Sequence, residues 1–181
     1  MINKLYNTAK GRKNKKSSEA SLETYIQSYY FDKILAHANK RLNTMSRGQY
    51  ELQKRNQHEN EYSLALDVKD YFDTSEKNTR PVASLSGGES FMASLSLALG
   101  LSDEIMMSNG GIRLDTMFID EGFGSLDDET LKKALETLGN LTEDNRLVGI
   151  ISHVTLLKEN IDKQIVVSKN GYDGSSIKII S

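Results

Sequence analysis

The chain has 181 residues, 38% hydrophobic and 27% charged, with a formal net charge of −2. That is the composition of one soluble globular domain with a real core, and it excludes disordered, collagen-like and disulfide-stapled classes. With no cysteine there is neither a disulfide nor a thiolate metal site; nothing resembles a secretory leader or an apolar run long enough to span a bilayer, so a cytoplasmic protein with no membrane role is expected.

The charge is unevenly spread. Residues 1–16 carry Lys4, Lys10, Arg12, Lys13, Lys15 and Lys16 and no acidic residue, so a total of −2 leaves −8 on the remainder. Such a run reads first as a solvated linker, over 1–18. It reads second as a contact for nucleic acid phosphates or a partner, through Lys10, Arg12, Lys13, Lys15 and Lys16. Beyond it, Leu22, Tyr25, Ile26, Tyr29, Tyr30, Ile34, Leu35, Ala38 and Leu42 recur at helical spacing. This predicts an amphipathic helix over 19–46 with one broad apolar face. Alternation through Tyr62, Leu64, Leu66 and Val68 predicts antiparallel strands at 49–54 and 61–69 around a polar turn at 56–60. Residues 73–78 lack periodicity and read as a loop.

Ser86-Gly87-Gly88-Glu89 then has the form of a capping box, opening a helix over 87–103 with Met92, Leu95, Ala98 and Leu99 toward the core. A helical glycine costs about 1 kcal/mol relative to alanine, so a pair of them implies that backbone approaches something closely. Bare first-turn amides at the positive end of a helix make an anion site, and phosphate is the natural anion. Taken alone, the segment fits an ordinary capped helix better.

Strand-like runs at 115–120, 147–152, 164–169 and 176–180 alternate with helical patterns at 127–138 and 154–160. The alternation predicts an α/β core with parallel pairing that closes in a hairpin at Asn170-Gly171. Met117-Phe118-Ile119 reads as a buried parallel strand whose end carries Asp120-Glu121 into a ligand crevice. There Asp120 can hold Mg2+ through water, and Glu121 can orient and deprotonate water for in-line attack on a γ-phosphate. A solvated acidic turn is the alternative. Ser125-Leu126-Asp127-Asp128 starts the next helix with a Ser-x-x-Asp cap, and Leu131, Ala134, Leu135 and Leu138 form its apolar face. Asp127 fits that cap or a ligand contact. The run at 147–151 delivers Ser152-His153 to the same sheet edge, where His153 can sense or polarise a γ-phosphate. One part of a nucleotide site is missing. A phosphate loop of the form G-x-x-x-x-G-K-[ST] needs two glycines five apart and a following lysine, and neither occurs here.

In order, Leu85 to Glu89, residues 116–121, residues 125–127 and His153 resemble the signature motif, Walker B, D-loop and switch histidine of ABC-type ATPases. The stretches 80–91, 111–127 and 149–154 resemble the SbcC family, large ATPase subunits of bacterial SbcC–SbcD nucleases and relatives of the SMC proteins. The resemblance implies that 19–181 form the C-terminal lobe of a split, P-loop NTPase-like α/β head with a small antiparallel β element. Walker A would lie in an N-terminal lobe of the same parent chain, across a long coiled coil. Two heads would enclose two ATP with Mg2+, so that Leu85, Ser86, Gly87, Gly88, Glu89 and Asp127 serve nucleotide held by the opposite head, while Glu121 and His153 are catalytic. Implied partners are the N-terminal lobe, a second head, an SbcD-type nuclease subunit and double-stranded DNA. The implied role is ATP-dependent control of an exonuclease and endonuclease in break repair and recombination, with the isolated fragment inactive. The 1–18 segment would lie at the coiled-coil exit, and an exposed seam would face the missing lobe. Alternatives are an ATP-independent DNA- or protein-binding scaffold, or the head lobe of another SMC-like or ABC ATPase.

Overall fold

The structure, a computed structural model, describes residues 13–14, 17–18, 21–55, 64–108, 114–143, 146–171 and 174–180. Strands β1 (Lys13–Asn14) and β2 (Ser17–Ser18) form a two-residue antiparallel pair. The first long element is α1 (Leu22–Met45), opened by Ser21, whose Oγ accepts from the Thr24 amide at 3.1 Å. It stops where Arg47 and Gly48 take left-handed conformations, at φ 56° and 79°.

That stop turns the chain into β3 (Tyr50–Lys54), which pairs antiparallel with β4 (Leu66–Asp70), Leu52 opposite Val68. The expected hairpin is therefore present, although its turn at 56–60 and the start of its second strand lie outside the described residues. A third strand, β5 (Thr79–Pro81), was not expected; it pairs with β4 and sets Arg80 opposite Val68. Pro81 is tolerated because it ends an edge strand, where its missing N–H breaks no ladder.

The core lies where α2 (Gly87–Ser108) crosses α1. They approach closely at Gly100, where a Cβ would stand 2.6 Å from the Ile34 carbonyl oxygen and 2.8 Å from the Ala38 amide nitrogen. Arg41 to Asp103 at 2.6 Å and Lys33 to Glu104 at 3.4 Å brace the crossing. Leu35, Leu42, Met92, Leu95 and Leu99 are buried around it. Two expectations change here. The apolar face of α1 is not buried throughout, because Leu22, Tyr25, Ile26, Tyr29 and Tyr30 precede the crossing and stay exposed. Ala98 is exposed as well, since it lies off the Leu95–Leu99 stripe that α1 covers.

Strand β6 (Thr116–Asp120), helix α3 (Asp128–Glu143) and strand β7 (Leu147–Ile151) form a β-α-β unit with parallel pairing from Thr116 opposite Leu147 to Asp120 opposite Ile151. Leu131, Ala134 and Leu138 bury the predicted face of α3. After the short α4 (Thr155–Asn160), β8 (Gln164–Asn170) and β9 (Gly174–Ile180) form the expected antiparallel hairpin. Strand β6 is only half buried: Met117 and Ile119 meet the core, while Phe118 is 71% exposed. Among the described residues, no helix is long and apolar enough to cross a membrane.

Candidate functional site

Parallel pairing sets the C-terminal ends of β6 and β7 side by side, which decides where the acidic pair and the histidine fall. The Glu121 amide donates to the Ile151 carbonyl at 2.9 Å, extending the ladder one residue past the strand. Glu121 itself is left-handed, at φ 58°, and Gly122 follows at φ 92°. A left-handed non-glycine residue costs on the order of 1–3 kcal/mol and persists only where its surroundings fix it. Here the turn brings the Glu121 carboxylate to His153, whose Nδ1 lies 3.1 Å from Oε2 and 3.3 Å from Oε1. With Nδ1–H donated to Glu121, Nε2 is left free, an acceptor in the neutral ring and a donor in the imidazolium, and both side chains are open to solvent. Asp120, also exposed, precedes them at the strand end.

Among the described residues no three His, Cys, Asp or Glu side chains cluster closely enough to cage a metal ion. One exposed carboxylate at Asp120 with a second beside it does suit Mg2+, which keeps several waters and completes its shell with phosphate oxygens.

At the start of α2 the capping box is as expected: the Ser86 amide donates to Glu89 Oε2 at 2.7 Å and the Glu89 amide to Ser86 Oγ at 3.4 Å. The two glycines have a reason inside the chain. A Cβ on Gly88 would stand 2.9 Å from the Ser125 carbonyl oxygen, and one on Gly87 3.5 Å from the Ser125 Cβ. The close approach is therefore made by the 125–127 turn. Phe91, one turn further along α2, covers Gly122, where a Cβ would fall 2.3 Å from the ring. It meets Phe123 edge-on, with centroids 4.8 Å apart. Leu85 precedes this helix half-buried against the core. The start of α2, the end of β6 and the 122–127 turn thus pack as one body.

Asp127 is the cap of α3, and Ser125 is not. The Asp127 Oδ1 accepts the amides of Glu129 and Thr130 at 3.1 and 3.0 Å, and its Oδ2 accepts the Thr130 hydroxyl at 2.7 Å. Those Thr130 bonds hold the Asp127 carboxyl below the usual carboxylate range. Ser125 Oγ instead donates to the Gly122 carbonyl at 2.8 Å, tightening the turn. Of the basic residues, Lys13 lies in β1, and Lys10, Arg12, Lys15 and Lys16 lie outside the described residues.

Two neighbours of the site escaped sequence reasoning. The Tyr50 hydroxyl donates to Glu89 Oε1 at 2.5 Å, and Arg80 Nη2 lies 3.5 Å from Glu89 Oε2, with its guanidinium 5.9 Å from the Tyr50 ring centre. Burial first, and the Glu89 carboxylate second, push the Tyr50 phenol up to about 12. For Glu89, burial pulls upward, but the bonds from Tyr50 and Ser86 and the charge of Arg80 outweigh it, so its carboxyl lies below the usual range. The strand expected over 49–54 places Tyr50, whereas no pattern places Arg80 on a strand, and no local spacing joins either to Glu89.

Residues 53–140 match the family described as SbcC/RAD50-like, Walker B motif. Three curated relatives are each named as the SbcC component of the nuclease SbcCD. The Staphylococcus saprophyticus protein is 47% identical over 163 residues, covering 90% of this chain and 16% of the relative. The Staphylococcus epidermidis protein is 48% identical over 161 residues, 88% and 16%. The Staphylococcus aureus protein is 47% identical over 167 residues, 92% and 16%. The chain therefore spans about one sixth of the length of the curated relatives it matches. A solved chain from work on ATP-driven dimerization and DNA-stimulated activation of SMC ATPases superposes with a TM-score of 0.67 at 17% identity, covering 87% of this chain and 89% of that one. The Pyrococcus furiosus Smc head domain with an extended coiled coil, bound to the C-terminal domain of ScpA, gives 0.62 at 18%, covering 88% and 37%. At such identities the likeness establishes the fold, that of an SMC ATPase head.

Proposed function

The chain belongs to the SbcC/RAD50-like family, and from that premise we propose that residues 19–181 are the C-terminal lobe of a split ATPase head. It works with a Walker A lobe supplied by the remainder of the parent protein. The observation that carries this is the Glu121–His153 contact at the end of a parallel strand pair, 3.1 Å between Nδ1 and Oε2. A solvated acidic turn has no need of a left-handed glutamate whose carboxylate is held against an imidazole.

Glu121 orients the attacking water and accepts its proton, and His153 in its imidazolium form, with Nδ1–H donated to Glu121, offers Nε2–H as a donor to the γ-phosphate. Asp120 would hold Mg2+ through water; when bound, the ion neutralises charge on the phosphate oxygens. Leu85 to Glu89 form the start of α2 that receives the γ-phosphate of nucleotide bound to a second head. Asp127, with both carboxylate oxygens engaged by α3, serves that opposite site through the turn it fixes. The exposed side of β6 and of the β8–β9 hairpin is where the N-terminal lobe would pack. Residues 1–18 are a basic linker at the coiled-coil exit, and Lys10, Arg12, Lys13, Lys15 and Lys16 are the candidate contacts for DNA or the nuclease subunit. The name shared by the relatives supports the wider role: two such heads, bound to an SbcD-type nuclease, use ATP binding and hydrolysis to control cutting of double-stranded DNA in repair and recombination.

The test is steady-state ATP hydrolysis by the full-length parent protein with its nuclease subunit. Glu121→Gln should lower kcat by about 10²–10⁴-fold while ATP-dependent association of heads persists. Hydrolysis that survives the substitution within tenfold would refute the role of Glu121.

A further inference from the structure

An anion site built on the first turn of α2 faces a difficulty of its own making. Glu89 lies in that turn, and a free carboxylate there would fold onto the orphan amides or repel an incoming phosphate. We propose that Tyr50 and Arg80 are positioning residues for this site, holding the Glu89 carboxylate away from it and cancelling its charge. The proposal rests on the reading that the start of α2 receives a nucleotide phosphate.

The geometry is specific. Glu89 Oε2 is used by the Ser86 amide at 2.7 Å and Oε1 by the Tyr50 hydroxyl at 2.5 Å, so neither oxygen is free to turn toward Gly87 and Gly88. Tyr50 is itself immobile. It is buried at the start of β3, its amide donates to Ser46 Oγ at 3.2 Å, and Ser46 caps α1. Arg80 is fixed from the opposite side, through Nη1, which donates to the Ser84 carbonyl at 2.8 Å and to the Ser84 hydroxyl at 3.1 Å. Its charge beside Glu89 leaves the local sum near zero, and Ser86 Oγ remains directed at the helix start. A carboxylate clamped in this way completes the capping box without competing for the ligand. The anchors come from β3 and β5, so a sheet with no part in the chemistry sets the electrostatics of the site.

The experiment measures KM for ATP and kcat in the full-length parent protein with its nuclease subunit. Tyr50→Phe, Arg80→Ala and Arg80→Lys are each made with Glu89 intact and with Glu89→Gln. With Glu89 intact, Arg80→Ala should raise KM about tenfold, the order expected for one exposed like charge near a bound phosphate. Tyr50→Phe should raise it about fivefold, and Arg80→Lys, which keeps the charge, should stay within twofold of wild type. On the Glu89→Gln background the Arg80→Ala effect should shrink to less than twofold, because no charge remains to be masked. A merely structural role would act equally on both backgrounds. Equal KM losses on both, or a loss for Arg80→Lys as large as for Arg80→Ala, would overturn the proposal. So would an unchanged KM in Tyr50→Phe and Arg80→Ala. Absence of ATP hydrolysis in the wild-type assembly would instead overturn the reading on which the proposal rests.

Discussion

The crossing of α1 with α2 and the β3–β5 sheet against it close on themselves, whereas β6–β9 present one finished face and one open one. In the first part Leu52 and Val68 of the sheet and Leu42 and Leu99 of the helices are at most 2% exposed, and charged groups at the crossing find partners within the chain. In the second, Ile165 pairs with Ile179 and Val167 with Ile177, so four apolar side chains share one side of the hairpin at 65–74% exposure. Hydrogen-bonded pairing satisfies the backbone of both parts alike. The sheet of the first part is covered by apolar surface, whereas this side of the hairpin is not, which teaches that strand formation and burial are separate requirements. Surface this apolar is a face made to be covered.

The comparison breaks most sharply at Gly100. Gly100→Leu would drive a side chain into the Ile34 carbonyl and the Ala38 amide, which can yield only if α1 moves. A loss of about 3 kcal/mol is expected, read as a lower urea midpoint. An unchanged midpoint would mean that the closed part does not depend on that crossing.

A smaller effect should come from alkali. The folded state holds the Tyr50 phenol neutral up to about 12, against an ordinary value of 10. Between those values the unfolded chain has lost the proton and the folded one has not. The stabilisation is thus complete below pH 10 and disappears as pH rises toward 12. Tyr50→Phe should cost about 1–2 kcal/mol at neutral pH and remove this component of the alkaline loss. Parallel alkaline curves for the variant and the parent would contradict the part-buried Tyr50–Glu89 bond.

The smallest change in stability is expected on the open side. Ile177→Ser with Ile179→Ser removes apolar area that is already wet, so unfolding should shift by less than about 1 kcal/mol. Self-association of the chain in sedimentation velocity should fall in the same variant. A large loss of stability would show that the hairpin face is packed within this chain.

Much of this arrangement was legible beforehand because it is local. The capping box at Ser86–Glu89 is a spacing of three, and the β-α-β order that brings Glu121 to His153 follows from alternating periods with connections too short for another layout. Strand β5 was not legible, since three residues ending in proline carry no period. Nor was the role of Asp127, because Ser125 and Asp127 both suit a helix start and only the Thr130 contacts separate them.

By itself the sequence determined the motifs, their order and the strand ends on which Asp120, Glu121 and His153 stand, since these depend on residue type, spacing and helix or strand period. Only the tertiary structure decided that Gly88 is glycine for the sake of the Ser125 carbonyl, that Tyr50 and Arg80 clamp Glu89, and that half of β6 faces outward. Each of those depends on contacts between residues that no helix or strand period joins, from nine positions apart for Arg80 and Glu89 to 39 for Tyr50 and Glu89, or on which side of a strand finds a neighbour. Neither is written in any local pattern.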